Sequence, residues 1–402
     1  MIQGNQGSMY DVVVSGGGPA GAIAAYECAR LGLDTVLLEK DVIPRKKCCA
    51  GGLLGRAVRS LPFELPASIV QKEIKGFAIE FGSYRKEFDF PNAVGYVLRR
   101  DDFDSYIIGK ARGAGALILQ NARTLHVEEV SGHVKLDSTA GRIDGRLLIV
   151  AEGVTGSTAR FLVGQYPRTS MAVGRAVNVT TERDPGDKIA IHLVDTPTKR
   201  LRMKKDFPLN GWMFPHRRGA NIGVVGSGVS KNRIEATLSM IREKVRERYG
   251  LMEGEEDLMA HPLPLVARKV LHTRRSMIVG DAAGLVNPIT GEGMSYALAS
   301  GRMAAHTAAE VINEEKGLEH LAVYDSRCKT SIIRDIKAAM FLSPFLHRIV
   351  GVVDTRRFFD NFHREGVLVR VCLDIARGEE DWHSLLIKTI PRFPRLFFSS
   401  LG

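Results

Sequence analysis

Gly16, Gly18 and Gly21 follow the apolar run Val12-Val13-Val14 at the spacing of a turn that carries a dinucleotide. In such a turn the first glycine permits the tight bend, the second lets the backbone approach a pyrophosphate, and the third lets helix and strand pack closely. A helix starting at Pro19-Ala20 offers free N–H groups and the positive end of its dipole to phosphate. Glu39 closes a second apolar run, Thr35-Val36-Leu37-Leu38, where a carboxylate accepts hydrogen bonds from an adenosine ribose. Lys40, next in the chain, is placed with the same cofactor set. A plain phosphate loop would share the glycines but not the flanking strands and the acid.

A second set of residues could bear on chemistry. Asp281 ends the apolar run Ser276-Met277-Ile278-Val279 and precedes Gly284, Gly291 and Gly293; a helix N-cap is the alternative use of that carboxylate. The loop Pro44–Leu53 holds Lys47, Cys48, Cys49 and Gly51. Cys49 reads as a proton donor or as a small packed residue, and Lys47 as a cation for a phosphate or as a solvated lysine. Trp212 and Phe214 alternate on a predicted strand before Pro215, so they share one face, either of a core or of an apolar channel. His216 reads as a surface histidine, with proton donation as the alternative.

These residues must be positioned by a mixed α/β fold. Strand, turn, helix and strand occupy Tyr10 to Lys40, a helix is predicted over Arg99–Gly113, and strands fill Ala116–Asp144. Leu147–Ala151 reads as a buried strand of a parallel sheet. Ile74–Phe90 and Met171–Gly226 read as antiparallel strands, Ile234–Tyr249 as a helix, and another helix starts near Gly293. The expected organisation is a polar leader at 1–8 and a discontinuous nucleotide domain at 9–61, 98–165 and 274–325. A β-rich substrate domain lies at 62–97 and 166–273, and a helical region at 326–402.

Arg100-Asp101-Asp102-Phe103-Asp104, and Gly280-Asp281-Ala282-Ala283-Gly284 with Pro288 and Gly291-Glu292-Gly293, resemble two FAD elements of the flavoprotein monooxygenase-like fold. The loop Pro44–Leu53 and the strand Gly211-Trp212-Met213-Phe214-Pro215 resemble elements of the geranylgeranyl reductase family, of the archaeal digeranylgeranylglycerophospholipid reductase type. The resemblance covers roughly Met9 to Tyr324. It implies a Rossmann-type FAD-binding domain, an antiparallel substrate domain and a helical C-terminal region. It implies FAD held by Gly16, Gly18, Pro19, Ala20, Gly21, Glu39, Lys40, Arg100, Asp281, Gly291 and Gly293. Cys49 is the implied catalytic residue, and Gly51, Trp212, Phe214 and Pro215 line the substrate. Glu152 departs from the pattern, standing where the family shows Asp; it keeps the charge and supports the turn, with direct cofactor contact in doubt.

The activity implied is FAD-dependent saturation of isolated C=C bonds in a geranylgeranyl lipid or diphosphate. Alternatives are a monooxygenase or halogenase of the same fold, and a non-catalytic prenyl-binding protein of the Rab escort type. No second glycine fingerprint for a nicotinamide is visible, so the electron donor is expected to be external: ferredoxin, a deazaflavin or NADPH. The net charge of +11 comes from scattered basic residues, which suits a phosphorylated substrate or an anionic membrane surface and points away from nucleic acid. Five cysteines, an odd number without zinc spacing, suit reduced thiols in a cytoplasm, and no metal is expected. No run is apolar enough to span a bilayer, so membrane contact would be peripheral. Pro391–Phe398, with phenylalanines and arginines interleaved, reads as an interfacial anchor or as a helical cap.

Overall fold

The buried runs Val12-Val13-Val14 and Val36-Leu37-Leu38 pair in parallel, as apolar strands covered on both faces do. They belong to β1 (Tyr10–Ser15) and β2 (Thr35–Leu38) in the computed structural model. The structure describes residues 9–194, 209–252, 258–352 and 366–392, with positions 357, 360, 361 and 364 between the last two. β8 (Leu117–Leu119) lies outside β2, and β11 (Gly141–Val150) lies on the far side of β1.

β11 joins what the sequence reading separates at Asp144. Its first half pairs antiparallel with β10 (Val134–Ser138), which pairs in turn with β9 (Thr124–Glu129). Its second half pairs in parallel with β17 (Ser276–Ile278). Burial changes along the same strand, from alternating at 141–146 to continuous at 147–150. The sequence pattern therefore marks where the second face becomes covered, not where a strand breaks. α1 (Pro19–Arg30) packs on α3 (Arg100–Gly113) and on α6 (Met294–Ile312). The crossing with α6 is close: a Cβ at Gly301 would overlap the Ala20 carbonyl oxygen.

A second sheet has seven strands in the order β16 (Met259–Pro264), β12 (Met171–Thr180), β15 (Gly219–Gly226), β14 (Asn210–His216), β13 (Lys188–Leu193), β5 (Gly76–Phe81) and β6 (Tyr84–Asp89). Only β13 and β5 are parallel partners. α5 (Lys231–Tyr249) covers one face. Its Ile234, Leu238, Ile241 and Val245 recur at helical spacing and pack on Ala78, Met213, Ile222 and Val224. The predicted loop Pro44–Leu53 ends instead in β3 (Gly52–Leu54), which forms a small sheet with β7 (Gly95–Leu98) and β4 (Val70–Ile74) and leads into α2 (Gly55–Ser60).

The remaining helices are α4 (Thr158–Val163), α7 (Ala322–Cys328), α8 (Arg334–Val352), α9 (Gly366–Arg377) and α10 (Trp382–Thr389). Together the parts make the expected class: an α/β domain on a parallel core, an antiparallel sheet and C-terminal helices. The leader and residues 393–398 of the proposed anchor lie outside the described residues. Among the described residues no helix is long and apolar enough to cross a membrane.

Candidate functional site

The first glycine turn is closed on two sides and open on a third. A Cβ at Gly16 would press within 2.6 Å of the Ala151 carbonyl carbon, and one at Gly21 would overlap the Gly16 oxygen. At Gly18 the nearest atom to a Cβ would be Arg45 Nη2, 3.9 Å away, so that side is open. Pro19 and Ala20 begin α1, and no side chain caps the helix start. The buried Glu39 accepts the Gly17 N–H at 2.9 Å and the Asp41 N–H at 3.0 Å, tying the end of β2 to the turn. Lys40 is exposed, its ammonium 3.7 Å from Asp41. Glu152 accepts Ser15 Oγ at 2.5 Å, Thr158 Oγ1 at 2.6 Å and the Thr158 N–H at 3.1 Å. Its carboxylate is thus engaged by the turn after β11.

Arg45 reaches this turn from the following loop. Its guanidinium lies 3.5 Å from Glu39 and 3.2 Å from Asp104, yet its buried Nε has no hydrogen-bond partner. Arg100 donates twice to the fully buried Asp104, at 2.9 Å each, and also to Cys49 Sγ. Burial opposes the charge on Arg100, but Asp104 and Cys49 outweigh it and hold the guanidinium protonated. Arg99, beside it, is exposed and paired with Asp101. An open glycine, free helix N–H groups and the Arg45 guanidinium converge, and a diphosphate-bearing dinucleotide fits all three.

The cysteine loop reaches a third centre. Lys47 Nζ lies 2.6 Å from His261 Nε2 on β16. Burial pushes the Lys47 ammonium down to about 8, against the pull of Asp281, with Arg100 and Arg45 adding to the fall. Burial and then Lys47 push His261 down to about 4. Near neutral pH the proton therefore rests on Lys47, which donates to a neutral imidazole. Burial raises the Asp281 carboxyl, opposed by Lys47 and Arg100. Asp281 sits in a short 3₁₀ turn, Gly280–Ala283, three residues past the end of the strand on which the sequence reading placed it. The lone glycine at 280, with a positive φ of 56°, ends the ladder there. Gly291, also at positive φ (70°), has only Leu263 within reach of a Cβ, at 3.6 Å. Gly293 caps α6, and a Cβ there would lie 3.2 Å from Asp281 Oδ1.

The aromatic strand joins the loop at one end. Phe214 stacks over Gly52, where any Cβ would meet its ring, and belongs to a cluster with Ile74, Val97, Ile189 and Leu373. Trp212, on the same face, donates Nε1–H to Asn221 at 2.8 Å and packs on Leu263 and Val225. Pro215 points to the opposite, α5 side with Met213. Gly51 takes a positive φ of 78°, and a Cβ there would overlap the Leu98 carbonyl. His216 differs from its reading as a surface residue: Nε2 is shielded from water without a partner, and burial pushes the imidazole down to about 4.

The structure thus gathers Gly18, Glu39 and Arg100 with Arg45, and Lys47, Cys49 and Asp281 with His261. Arg45 and His261 were not singled out from the sequence. Arg45 stood in view beside Lys47 and Cys49, and its place in the loop that follows Glu39 was the available signal. His261 had none, being a lone histidine 214 residues from its partner.

A family model described as an FAD binding domain matches residues 9–337. The "Menaquinone reductase" of Mycolicibacterium smegmatis is 30% identical over 94% of this chain and 95% of its own. The "Digeranylgeranylglycerophospholipid reductase 2" of Methanopyrus kandleri is 29% identical over 92% and 93%. A solved geranylgeranyl bacteriochlorophyll reductase-like protein of Thermoplasma acidophilum superposes with a TM-score of 0.76 at 22% identity, over 97% of this chain and 98% of that one.

Proposed function

We propose that this chain, which belongs to the FAD-binding-domain family and to its geranylgeranyl reductase branch, saturates isolated C=C bonds in the prenyl chain of a lipid. Membership makes it an FAD-dependent oxidoreductase. The relatives named for a digeranylgeranylglycerophospholipid and for menaquinone support a polyprenyl substrate, with either kind of head. The observation that carries the reading is the meeting of three separate segments: the cysteine loop, Asp281 with its glycines, and the aromatic strand.

Gly16, Gly18, Pro19, Ala20, Gly21, Glu39, Arg45 and Arg100 would hold the dinucleotide, and Asp281, Gly291 and Gly293 its flavin half. When bound, FAD supplies an electron pair to the alkene as hydride. An isolated alkene has no carbonyl to spread developing charge, so a proton must be delivered nearby. Lys47 Nζ holds one, aligned by His261. Cys49 Sγ is a second candidate donor, oriented by Arg100 and by the Gly51 N–H at 3.4 Å. Phe214 and Trp212 would exclude water along the hydrocarbon.

The test is anaerobic incubation with dithionite and geranylgeranyl substrates of both head types, followed by mass spectrometry. The expected product gains mass in steps of about 2 Da, one per saturated bond. No gain, or product that forms only with oxygen, would overturn the reading. Stopped-flow flavin reduction by ferredoxin, deazaflavin and NADPH identifies the donor; Cys49→Ser with unchanged turnover would leave that thiol structural.

A further inference from the structure

Five basic side chains converge on a cleft that the reductase reading does not use. Ala299, Arg302, Met303, His306 and Glu310 recur along one face of α6 at helical spacing. Arg56, Arg59 and Ser60 of α2 face them, and Arg327 of α7 closes one end. The cleft holds about 450 Å³. Its charge is arranged asymmetrically. Arg56 pairs with Asp335 at 2.6 Å, Arg302 with Glu27 at 3.2 Å and Arg327 with Glu310 at 2.6 Å. In each pair the acid is the more buried member: Asp335 is 0%, Glu27 4% and Glu310 19% exposed, against 28%, 40% and 34% for the arginines. Two of the three acids, Asp335 and Glu27, stand outside the lining, so the carboxylates anchor from the core side while the guanidinium groups front the cleft.

A guanidinium carries five N–H donors; besides their carboxylates, Arg56 donates to the Glu380 carbonyl and Arg327 to Thr307 Oγ1, which still leaves N–H groups on each for a ligand. Arg59 and His306 form no side-chain hydrogen bond or ion pair among the described residues. The lining therefore offers several divergent, charge-assisted donors and a single acid. That pattern matches a tetrahedral polyanion better than a planar carboxylate, because donors approach from α2, α6 and α7 at once. Ala299 and Met303 give the floor an apolar strip beside the donors, suited to the first carbons of an attached chain.

We propose that the cleft between α2, α6 and α7 binds the phosphate or diphosphate head of an amphiphile. The claim is separate from the reductase reading, since the head would bind whether or not any bond is saturated. It is tested on FAD-loaded protein, so that the nucleotide site is filled. Inorganic pyrophosphate is titrated by calorimetry, and phosphatidylglycerol vesicles are tested by cosedimentation. Arg59→Glu breaks no ion pair and leaves the fold intact; it is expected to weaken binding about tenfold or more, with Arg59→Lys recovering part of it. Loss of pyrophosphate binding identifies a free head group; loss of vesicle binding alone identifies a lipid surface. If the wild type binds neither, or Arg59→Glu and His306→Glu bind both as the wild type does, the proposal falls.

Discussion

Two buried carboxylates, Glu80 among several basic side chains and Glu39 beside Arg45, end up with different roles. Around Glu80 the cations close on the acid from every side. Arg248 donates to it at 2.7 Å, Arg85 pairs with the same oxygen, and Lys244 Nζ and His192 Nδ1 stand 3.4 and 3.3 Å from the other. Arg85 also holds Glu87, and Lys244 donates to the Gly82 carbonyl. The cluster joins β5, β6, β13 and α5, and no helix start among the described residues opens onto it. Around Glu39 the neighbouring Arg45 keeps an unpartnered Nε, and Gly18 beside it is open. A buried charge network alone is thus a poor marker of a site; an open glycine at an uncapped helix start is the better one.

The sharpest way to break this contrast is Glu80→Gln. Removing the acid leaves Arg248, Arg85 and Lys244 without their shared counter-charge, and a broken buried pair costs about 3–5 kcal/mol. Because Arg248 and Lys244 are partly exposed, we expect the low end, about 3 kcal/mol, measured by urea unfolding. FAD content per folded molecule should not change. The sign with pH follows. Burial would raise the Glu80 carboxyl, but His192 and Arg248 overcome it and hold it well below its ordinary 4.5. Its stabilisation is present above that value and is lost as pH falls below it. Glu80→Gln should flatten this acid limb; an unchanged limb would mean the cluster is not a clamp.

Lys47 sharpens the other side of the comparison. Asp281 faces it with the opposite charge, Arg100 and Arg45 with the same one, and burial leaves its ammonium near 8. As the proton source it should give a turnover rate that falls as pH rises through about 8. Lys47→Gln should lower the rate about a hundredfold and abolish that limb, with the melting temperature little altered. A structural lysine would lose stability instead and leave the pH profile of the remaining activity unchanged.

What could be read beforehand divides along the same line. Gly16, Gly18, Gly21 and Glu39 lie within one strand–helix–strand unit, so local spacing reports their geometry. Asp281 with Gly291 and Gly293 is similarly local. Lys47–His261 and Arg56–Asp335 join residues hundreds of positions apart, and nothing in either segment encodes the other. The same holds for His216, which reads as a surface histidine although packing shields its Nε2. Arg45 was hidden differently: its loop was read through the cysteines, and only the fold brings its guanidinium beside Gly18.

Arg45→Met tests whether this guanidinium matters for binding. The substitution keeps the stem and removes the charge, so a contact to phosphate should be lost without a cavity. FAD affinity should weaken about tenfold, as expected for one charge-assisted contact, in equilibrium titration of the apoprotein. Stability without FAD should fall, since the buried Glu39 and Asp104 lose the guanidinium 3.5 and 3.2 Å away. Unchanged FAD affinity would make Arg45 a second clamp like Glu80.

The smallest effect belongs to Glu152, and it separates turn support from cofactor contact. Its carboxylate already accepts from Ser15, from Thr158 Oγ1 and from the Thr158 backbone, and the Ser15 hydroxyl continues to Thr124 at 2.6 Å. Glu152→Asp restores the shorter acid and withdraws the carboxylate by one methylene. The Ser15 and Thr158 contacts cannot all be kept from there, because Ser15 sits on β1 and Thr158 starts α4. One weakened hydrogen bond costs about 1 kcal/mol, read as a small drop in unfolding free energy. FAD affinity should stay within about twofold if the acid serves only the turn. A gain in affinity would instead mean that Glu152, held back by Thr158, is kept from a contact that the aspartate reaches.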